Sequence, residues 1–583
     1  MYLGQLRIVN FRKLVDTTLE FRPGLNVLVG PNNVGKTAVV DAMRALLAGY
    51  DEPYPRLSMD DVHHPKGGKP EGAIRFDYVF RDLGPDDEAD FMSALKPGGG
   101  GKLEAHITVR YSEADKVGRL RVKRWCGDHE ENGLTSDMTE NLRGVYLPPL
   151  RDASQGLKPS RGSQLARLLQ LLADEPGRET INAALKAVDD TLKTHQPIID
   201  TQKAIAGRHG DMLGEQLAQA LEVGLSASDF QRLSARLSLI VDRFEIEQNG
   251  LGFNNLIYMA VVLSELAKNP DAAYRGLIVE EPEAHLHPQL QSVLLRYLHD
   301  IQTVVDGEKA VQVFVTSHSP NFASIAKLDT LACLVDAGGE IEAFFPRTIA
   351  FEKGKGEKLE RYLDVTRAEL FFARRVIFVE GAAELMLVSV LAEKAGFNLR
   401  AHGVSLISVE GLNFDSFLPL FGEKALKIPV AVITDADPEG EASEGGKAAP
   451  LYPALGDVIT VSANTAKMKK QEDSLVGVFH GVKTFEYDLA LRAKNRKAMI
   501  AALKELHPQI GLMVEAEVAA AANDAAAARA LFGGMFERPQ NNVQKGRYGQ
   551  ALAQAFLAKD AECEVPDYIR DAVAHVCRPM TAT

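Results

Sequence analysis

Residues 25–37 read L-N-V-L-V-G-P-N-N-V-G-K-T, and the rest of the chain is organised around them. Leu25, Val27, Leu28 and Val29 form a short apolar run suited to a buried strand. Gly30, Pro31, Asn32, Asn33, Val34, Gly35, Lys36 and Thr37 match G-x-x-x-x-G-K-[ST], a loop that cradles phosphates. Val40, Met43 and Leu47 then mark one side of a helix over 37–47. The chemistry explains the spacing. Glycines let backbone N–H groups wrap the phosphates, and the helix N-terminus adds positive potential. Lys36 is placed to reach the β/γ-phosphates of ATP, and Thr37 to hold its Mg²⁺.

The chain has 583 residues, enough for two to four domains, with 46% hydrophobic and 25% charged residues. Its formal net charge is −13, so a nucleic-acid partner needs a local basic face. Cys126, Cys333, Cys563 and Cys577 are scattered with no C-x-x-C pair, which excludes a cysteine-based zinc motif and fits a reducing cytoplasm. The opening MYLGQLRIVNF lacks a signal-peptide block, and no run approaches the roughly 18 apolar residues of a span. A cytoplasmic protein without a membrane partner is expected.

Short strands are expected at 3–9 and 17–21, flanking Phe11 and Arg12. Residues 51–71, with His63 and His64, read as a surface loop. Ile74, Phe76 and Tyr78, and then Leu103, Ala105, Ile107, Val109 and Tyr111, alternate with polar residues as half-buried antiparallel strands. Gly98–Gly101 joins them as a loop. From 155 to 240 helical patterns take over. Leu165, Leu168, Leu169 and Leu172 share a face; Ile181, Leu185, Val188 and Leu192 make a heptad-like seam; Leu213, Leu217 and Leu221 repeat every four. This region fits a helical subdomain packed on itself or a homodimerisation insertion. Next, 276–282 form an apolar strand ending in Glu280 and Glu281. The first carboxylate is expected at the Mg²⁺ shell, the second at the attacking water, although Glu280 stands where Asp is usual. The strand at 313–317 leads into His318, placed to sense the γ-phosphate.

The segments 30–37, E-E-P-E-A-H-L-H-P (280–288) and T-S-H-S-P (316–320) resemble the ATPase of the OLD (overcoming lysogenization defect) family, related to RecF/SMC-type ABC ATPases. By that resemblance Asn249, Gly250 and Gly252, followed by Asn254 and Asn255, stand where a signature segment closes over the nucleotide of a second subunit. A composite ATP site in a homodimer, or a tetramer, is implied. Tyr146–Asp152 also resembles the family, without an assigned role, and Arg12 is expected near nucleotide by the same analogy.

After an ATPase end near 331–335, a loop at 353–356 and a connecting helix over 358–372, a new α/β pattern begins. Strands at 374–379, 404–409 and 430–434 end in Glu380, Glu410 and Asp435-Ala436-Asp437, with a helix over 382–393 carrying Glu384. Alternation of this kind predicts a parallel sheet with chemistry at the carboxyl ends of its strands. Asp435 and Asp437 share a face if the strand persists that far. Converging carboxylates without Cys or His suit Mg²⁺ or Mn²⁺, and two such ions about 4 Å apart serve phosphodiester displacement. E-G-x-x-E (380–384) with D-x-D (435–437) resembles the Toprim domain of topoisomerases, primases and OLD nucleases. The resemblance adds Glu486 as a further metal ligand and Lys545 as a charge-stabilising catalytic residue. The Ala-rich stretch 513–531 reads as packed helix, and 565–569 is also family-like. Basic residues Arg374, Arg375, Lys467, Lys469, Lys470, Arg492, Lys494, Arg496, Lys497, Lys545 and Arg547 offer a DNA-facing surface.

The expected fold is α/β: an ABC-type ATPase with a mixed sheet and an antiparallel β lobe, carrying a helical insertion, then a Toprim domain and a helical C-terminal part. The divisions fall at 1–154, 155–240, 241–356, 357–373, 374–500 and 501–583. The resemblance covers nearly the whole chain. It implies an ATP-linked, two-metal DNA endonuclease of the kind that includes the Gabija nuclease subunit. Double-stranded DNA, a role in phage defence and a helicase-like partner protein belong to the same implication. The competing readings are a RecF/SMC-like DNA clamp or sensor with an inactive Toprim fold, and a topoisomerase or primase. A topoisomerase needs a tyrosine nucleophile, and no tyrosine stands in such a context.

Overall fold

In a computed structural model, the apolar run at 25–29 is a strand with every residue buried. The structure describes residues 1–48, 54–149, 156–160, 162–214, 217–225, 229–270, 272–284, 286–301, 308–411, 413–438, 451–540, 542–558 and 561–578. Leu150, Arg151, Asp152 and His285, each part of a quoted motif, lie outside them.

The strands are β1 (Tyr2–Phe11), β2 (Leu14–Glu20), β3 (Leu25–Val29), β4 (Ile74–Arg81), β5 (Leu95–Pro97), β6 (Leu103–Ala114), β7 (Leu120–Cys126), β8 (Leu142–Leu147), β9 (Ile240–Val241), β10 (Phe244–Glu245), β11 (Tyr274–Glu280), β12 (Gln312–Thr316), β13 (Leu331–Ala337), β14 (Glu340–Phe344), β15 (Arg375–Val379), β16 (Val404–Ser408), β17 (Val430–Thr434) and β18 (Val476–His480). An antiparallel sheet runs β2-β1-β4-β6-β5, with β7 on β6. A second sheet runs β14-β13-β3-β12-β11-β8 and is parallel except for the β13–β14 hairpin. The third, β16-β15-β17-β18, is wholly parallel. The mixed nucleotide sheet, the antiparallel lobe and the parallel Toprim-like sheet all form as expected.

Strand alternation sets the layers. Tyr274 and Ile278 of β11 and Phe314 of β12 face the core that also holds the helix Lys36–Leu47 and the antiparallel sheet. Leu277, Val279, Val313 and Val315 face the opposite way, into a core shared with Val376, Phe378, Val430 and Val432 of the third sheet. Ile377, Val379, Ala431 and Ile433 then face the C-terminal helices. One apolar layer therefore joins the nucleotide sheet to the carboxylate-bearing sheet. The connecting segment lies within it through Leu359, Leu363, Ala368, Leu370 and Phe371.

Local chemistry moves several expected boundaries. The connecting segment is not one helix. It is the helix Lys355–Tyr362 followed by the short 3-10 turn Arg367–Phe371. Asp364 accepts from the Arg367 N–H, and the Arg367 guanidinium bonds the Tyr362 and Ser408 carbonyls, so the break is built in. The stretch 513–531 divides into Pro508–Ala519 and Asp524–Phe536, because Asn523 caps the second helix by accepting from Ala526 N–H. Leu213, Leu217 and Leu221 do not share a helix: Gln196–Leu213 ends at Gly214, whose φ of 75° terminates it. The ATPase sheet continues past 335 into β14. The division at 500/501 falls inside the helix Ala493–Leu506.

In the insertion, helix Gln164–Leu172 packs on helix Leu251–Lys268 through a small cluster around Leu157, Ile246 and Val261. Among the described residues, the next two helices, Glu175–Lys193 and Gln196–Leu213, add nothing to the core clusters. They leave Val188, Ile205 and Met212 exposed.

Candidate functional site

The phosphate loop leaves β3 at Gly30, whose φ of 147° and a backbone oxygen of Leu334 only 2.4 Å from any added Cβ require glycine. Gly35 (φ 92°) precedes the helix Lys36–Leu47 and has no side chain to cap it, so the first-turn N–H groups face outward. Asn32, Asn33 and Thr37 are exposed along this loop, and Val34 is buried beneath it. Lys36 is buried, with Nζ donating to the Gly30 and Pro31 carbonyls at 2.6 and 2.9 Å. Burial brings its pKa down to about 8, against the pull of Glu281 and Glu283.

β11 delivers Glu280 to this helix. The Tyr146 hydroxyl donates to Glu280 Oε2 at 2.6 Å, and the Thr37 hydroxyl also bonds this carboxylate. Burial still raises the Glu280 pKa. The Tyr146 ring carries the Arg44 guanidinium at 4.0 Å, and Arg44 pairs with Asp41. Arg12 pairs with Asp41 and Asp61, so it braces the loop helix rather than standing open. Tyr146, quoted above without a role, thus orients the Glu280 carboxylate. Only the β8–β11 pairing, which brings Tyr146 level with Ile278, shows this. Tyr146→Phe keeps the stacked ring and removes one hydrogen bond to a buried carboxylate. A loss of about 1–3 kcal/mol in unfolding free energy is expected from urea denaturation.

Glu281 has φ of 44° and its carboxylate lies 3.6 Å from His318 Nε2. Burial and Lys36 lower the His318 pKa, which keeps its imidazole neutral at pH 7. Glu283, quoted in the motif but assigned no role, is the hinge of this pair. Its Oε1 accepts from the Ser317 hydroxyl and the His318 N–H at 2.7 and 3.0 Å. Asn249 and Gly250 precede the helix Leu251–Lys268, Gly250 as its N-cap and Gly252 in its first turn. Leu251 and Phe253 are exposed there, while Asn254 and Asn255 are buried.

In the third sheet, Glu380 follows β15 and Asp435 follows β17, side by side. Glu380 Oε1 accepts from the Thr434 hydroxyl (2.7 Å) and the Asp435 N–H (2.8 Å). Asp435 Oδ1 accepts from Phe485 N–H at the start of the helix Phe485–Leu491, which places Glu486 one residue on. Asp437 does not share a strand face with Asp435. The strand ends at Thr434, and Asp437 is exposed with φ of 41°, its N–H on the Lys483 carbonyl. Glu384 is buried and accepts from Gly381 N–H at 3.0 Å. Glu486 is fully buried; Lys545 Nζ donates to its Oε2 at 3.0 Å, and its Oε1 is buried without a hydrogen-bond partner among the described residues. Gly549 makes this possible: a Cβ there would lie 2.8 Å from Ala383 Cα, so the helix bearing Lys545 seats closely on the helix bearing Glu384.

The charges respond to one another. Burial raises the Asp435 pKa and Glu380 and Glu486 raise it further; burial and then Glu486 lift Glu384 to about 6. Burial works against the Lys545 ammonium, but Glu486, Asp435 and Glu384 outweigh it and hold it protonated. Tyr568, in the family-like 565–569 stretch, is half-buried near the same carboxylates, and desolvation pushes its pKa well up. Among the described residues no three Asp, Glu, His or Cys side chains are close enough to hold one ion, and Glu380, Glu384, Asp435 and Glu486 each accept from a protein donor. The orphaned Glu486 oxygen, the mutual repulsion and the all-carboxylate donor set nonetheless fit a hard divalent cation.

The proposed basic surface is partly spent within the fold. Arg492 pairs with Glu564 and Asp567, Arg496 with Asp524, and Lys467 with Glu352; Arg375 donates to the His402 and Arg578 carbonyls. Among the described residues no helix is long and apolar enough to cross a membrane.

A model described as "AAA ATPase domain" matches residues 1–119 and 137–323. One described as "Overcoming lysogenization defect protein-like, TOPRIM domain" matches residues 371–437, the segment holding Glu380, Glu384, Asp435 and Asp437. The chain is 26% identical over 464 residues to the OLD nuclease of Thermus scotoductus, covering 75% of this chain and 82% of that one. It is 22% identical over 542 residues to Endonuclease GajA of Bacillus cereus, covering 76% and 78%. Among solved structures, the C-terminal region of the Burkholderia pseudomallei OLD protein aligns at 24% identity and a TM-score of 0.24, covering 35% of this chain and 97% of that one.

Proposed function

Because the chain belongs to the AAA ATPase domain family, in the OLD branch that joins such an ATPase to a TOPRIM domain, we propose that it is an ATP-controlled, divalent-metal-dependent DNA endonuclease acting in antiviral defence. The observation that carries this reading is the meeting of Glu486 and Lys545 with the strand-end carboxylates of the TOPRIM sheet. Glu380, Glu384, Asp435, Asp437 and Glu486 would hold a pair of Mg²⁺ or Mn²⁺ ions, which supply Lewis acidity and an activated water for phosphodiester displacement. Lys545, kept protonated by its neighbours, neutralises charge gathering on the phosphate. To take up this role the carboxylates exchange their present N–H and hydroxyl partners for the cation, an exchange the like-charge crowding favours.

In the ATPase, the Gly30–Thr37 loop holds the phosphates, Thr37 and Glu280 the nucleotide's Mg²⁺, and Glu281 the attacking water, with His318 at the γ-phosphate. A second copy brings Asn249, Gly250 and Gly252 across to that nucleotide. The exposed apolar residues of helices Glu175–Lys193 and Gln196–Leu213 supply homodimer contact, and pairs of dimers make tetramers. Double-stranded DNA is the substrate and a helicase-like protein a further partner. Nucleotide state reaches the nuclease through packing. The helix Pro320–Ile325, directly after His318, buries Phe322 and Ala323 in the cluster that holds Ala368 and Phe371. Arg367 in that turn bonds the last residue of β16 and pairs with Glu410.

Supercoiled plasmid incubated with the wild-type protein should be nicked with Mg²⁺ or Mn²⁺, not with EDTA, and ATP should change the rate severalfold. The second reading, an ATP-driven DNA clamp or sensor with an inactive TOPRIM domain, draws on the carboxylates' being turned to protein donors. Intact plasmid under every metal condition, with ATP still hydrolysed, would decide for it.

A further inference from the structure

A cavity of about 800 Å³ opens between the helices Pro508–Ala519 and Lys545–Leu557. That volume is within the range of ligand pockets and far exceeds what a lone ion needs. Arg538 and Arg547 line it, and neither has an ion pair among the described residues. Arg538 is half-buried, and its Nη1 is shielded from solvent with no hydrogen-bond partner among the described residues. Leaving a buried guanidinium donor unsatisfied is costly, so the arrangement calls for an acceptor. His507 and Gln544, also in the lining, are the N-caps of the two helices, and neither side chain makes a capping bond. Both helices therefore offer first-turn N–H groups and the positive ends of their dipoles. Two arginines and two helix ends in one concavity, on a chain of net charge −13, select a phosphoryl group. Pro508 and Ile510 add an apolar wall suited to a sugar or base.

We propose that this cavity binds one nucleotide of the DNA strand beside the cutting site, its phosphate on Arg538 and Arg547. The proposal rests on the nuclease reading above. Placement supports it: Lys545 and Arg547 share the first turn of one helix, and residues two apart face different sides. Lys545 meets Glu486, so Arg547 looks to the other flank. A helix is about 10–12 Å across, which at 3.4 Å per nucleotide sets the contact roughly three nucleotides from the cleaved bond.

The test is duplex binding by the full chain, followed by fluorescence anisotropy across a salt series without catalytic metal. Arg538→Gln/Arg547→Gln should weaken binding at least about tenfold at 0.1 M salt and reduce the slope of log K against log[salt] by about 0.9, the share of one phosphate. Arg547→Gln alone, an exposed helix position, should reduce it by part of that amount and guards against misfolding of the double variant. Lys69→Gln/Lys116→Gln removes equal charge from exposed positions outside the proposed DNA-facing set and should leave the slope unchanged. Plasmid nicking by Arg547→Gln should show raised KM with kcat within about threefold, as loss of uniform binding predicts. Equal slopes in wild type and both arginine variants, or an equal fall in the lysine variant, overturns the proposal. Titration with inorganic phosphate separates the other source: saturable phosphate binding lost in the variants while DNA slopes are unchanged makes this a free-anion site and also overturns it. A wild type that never nicks, yet loses slope on substitution, defeats the nuclease reading and keeps the cavity.

Discussion

Glu380→Gln is expected to cut metal-dependent plasmid nicking by about 10³-fold, the scale of removing one electrostatic contributor at a reacting phosphate. ATP turnover should stay within about twofold. The neutral isostere separates charge from structure. Its amide oxygen still accepts from the Thr434 hydroxyl and the Asp435 N–H, the two bonds that hold Glu380 now. The β15–β17 junction therefore survives while one negative charge leaves the cluster. Asp435 and Glu384, both pushed up in part by Glu380, then ionise more readily, so the variant should fold at least as well as wild type. The measurement is a nicking time course in Mn²⁺ beside a melting curve. Wild-type cutting rates in this variant would remove Glu380 from the catalytic machinery.

Lys36→Met should abolish nucleotide binding to within detection, a loss of at least about 100-fold, and with it ATP hydrolysis. Lys36 is buried where the loop closes, bonded to the Gly30 and Pro31 carbonyls and drawn toward Glu281 and Glu283. Methionine fills similar space without the ammonium. The loop keeps its glycine geometry, set by the close approach of Leu334, so the defect is one of charge. The sharper readout is on the other sheet. Nicking by Lys36→Met should no longer respond to ATP, because Phe322, four residues after His318, shares one core with Phe371. Retained ATP response in a variant that binds no ATP would show that nucleotide acts elsewhere on the protein.

Much of this molecule was readable in order along the chain. The phosphate loop, the Glu280–Glu281 strand, and the strand-end positions of Glu380 and Asp435 depend on local periodicity and turn chemistry, which neighbouring residues determine. Errors clustered where one side chain redirects the backbone. Arg367 and Asp364 break the connecting segment, and Asn523 divides the Ala-rich stretch. Asp437 leaves the strand face because its backbone turns to the Lys483 carbonyl. Several arginines that looked free for DNA are committed to acids or carbonyls within the fold.

By itself the sequence determined the three sheets, their order, and which carboxylates stand at strand ends, since these follow from patterns spanning a few residues. Only the tertiary structure decided that Tyr146 serves Glu280, that Glu283 holds the His318 turn, and that Glu486 and Lys545 meet from 59 positions apart. It also decided that Arg538 and Arg547 share a cavity. The physical reason is that hydrogen bonds and ion pairs act over about 3 Å of space, and distance along the chain carries no information about which side chains packing brings within that range.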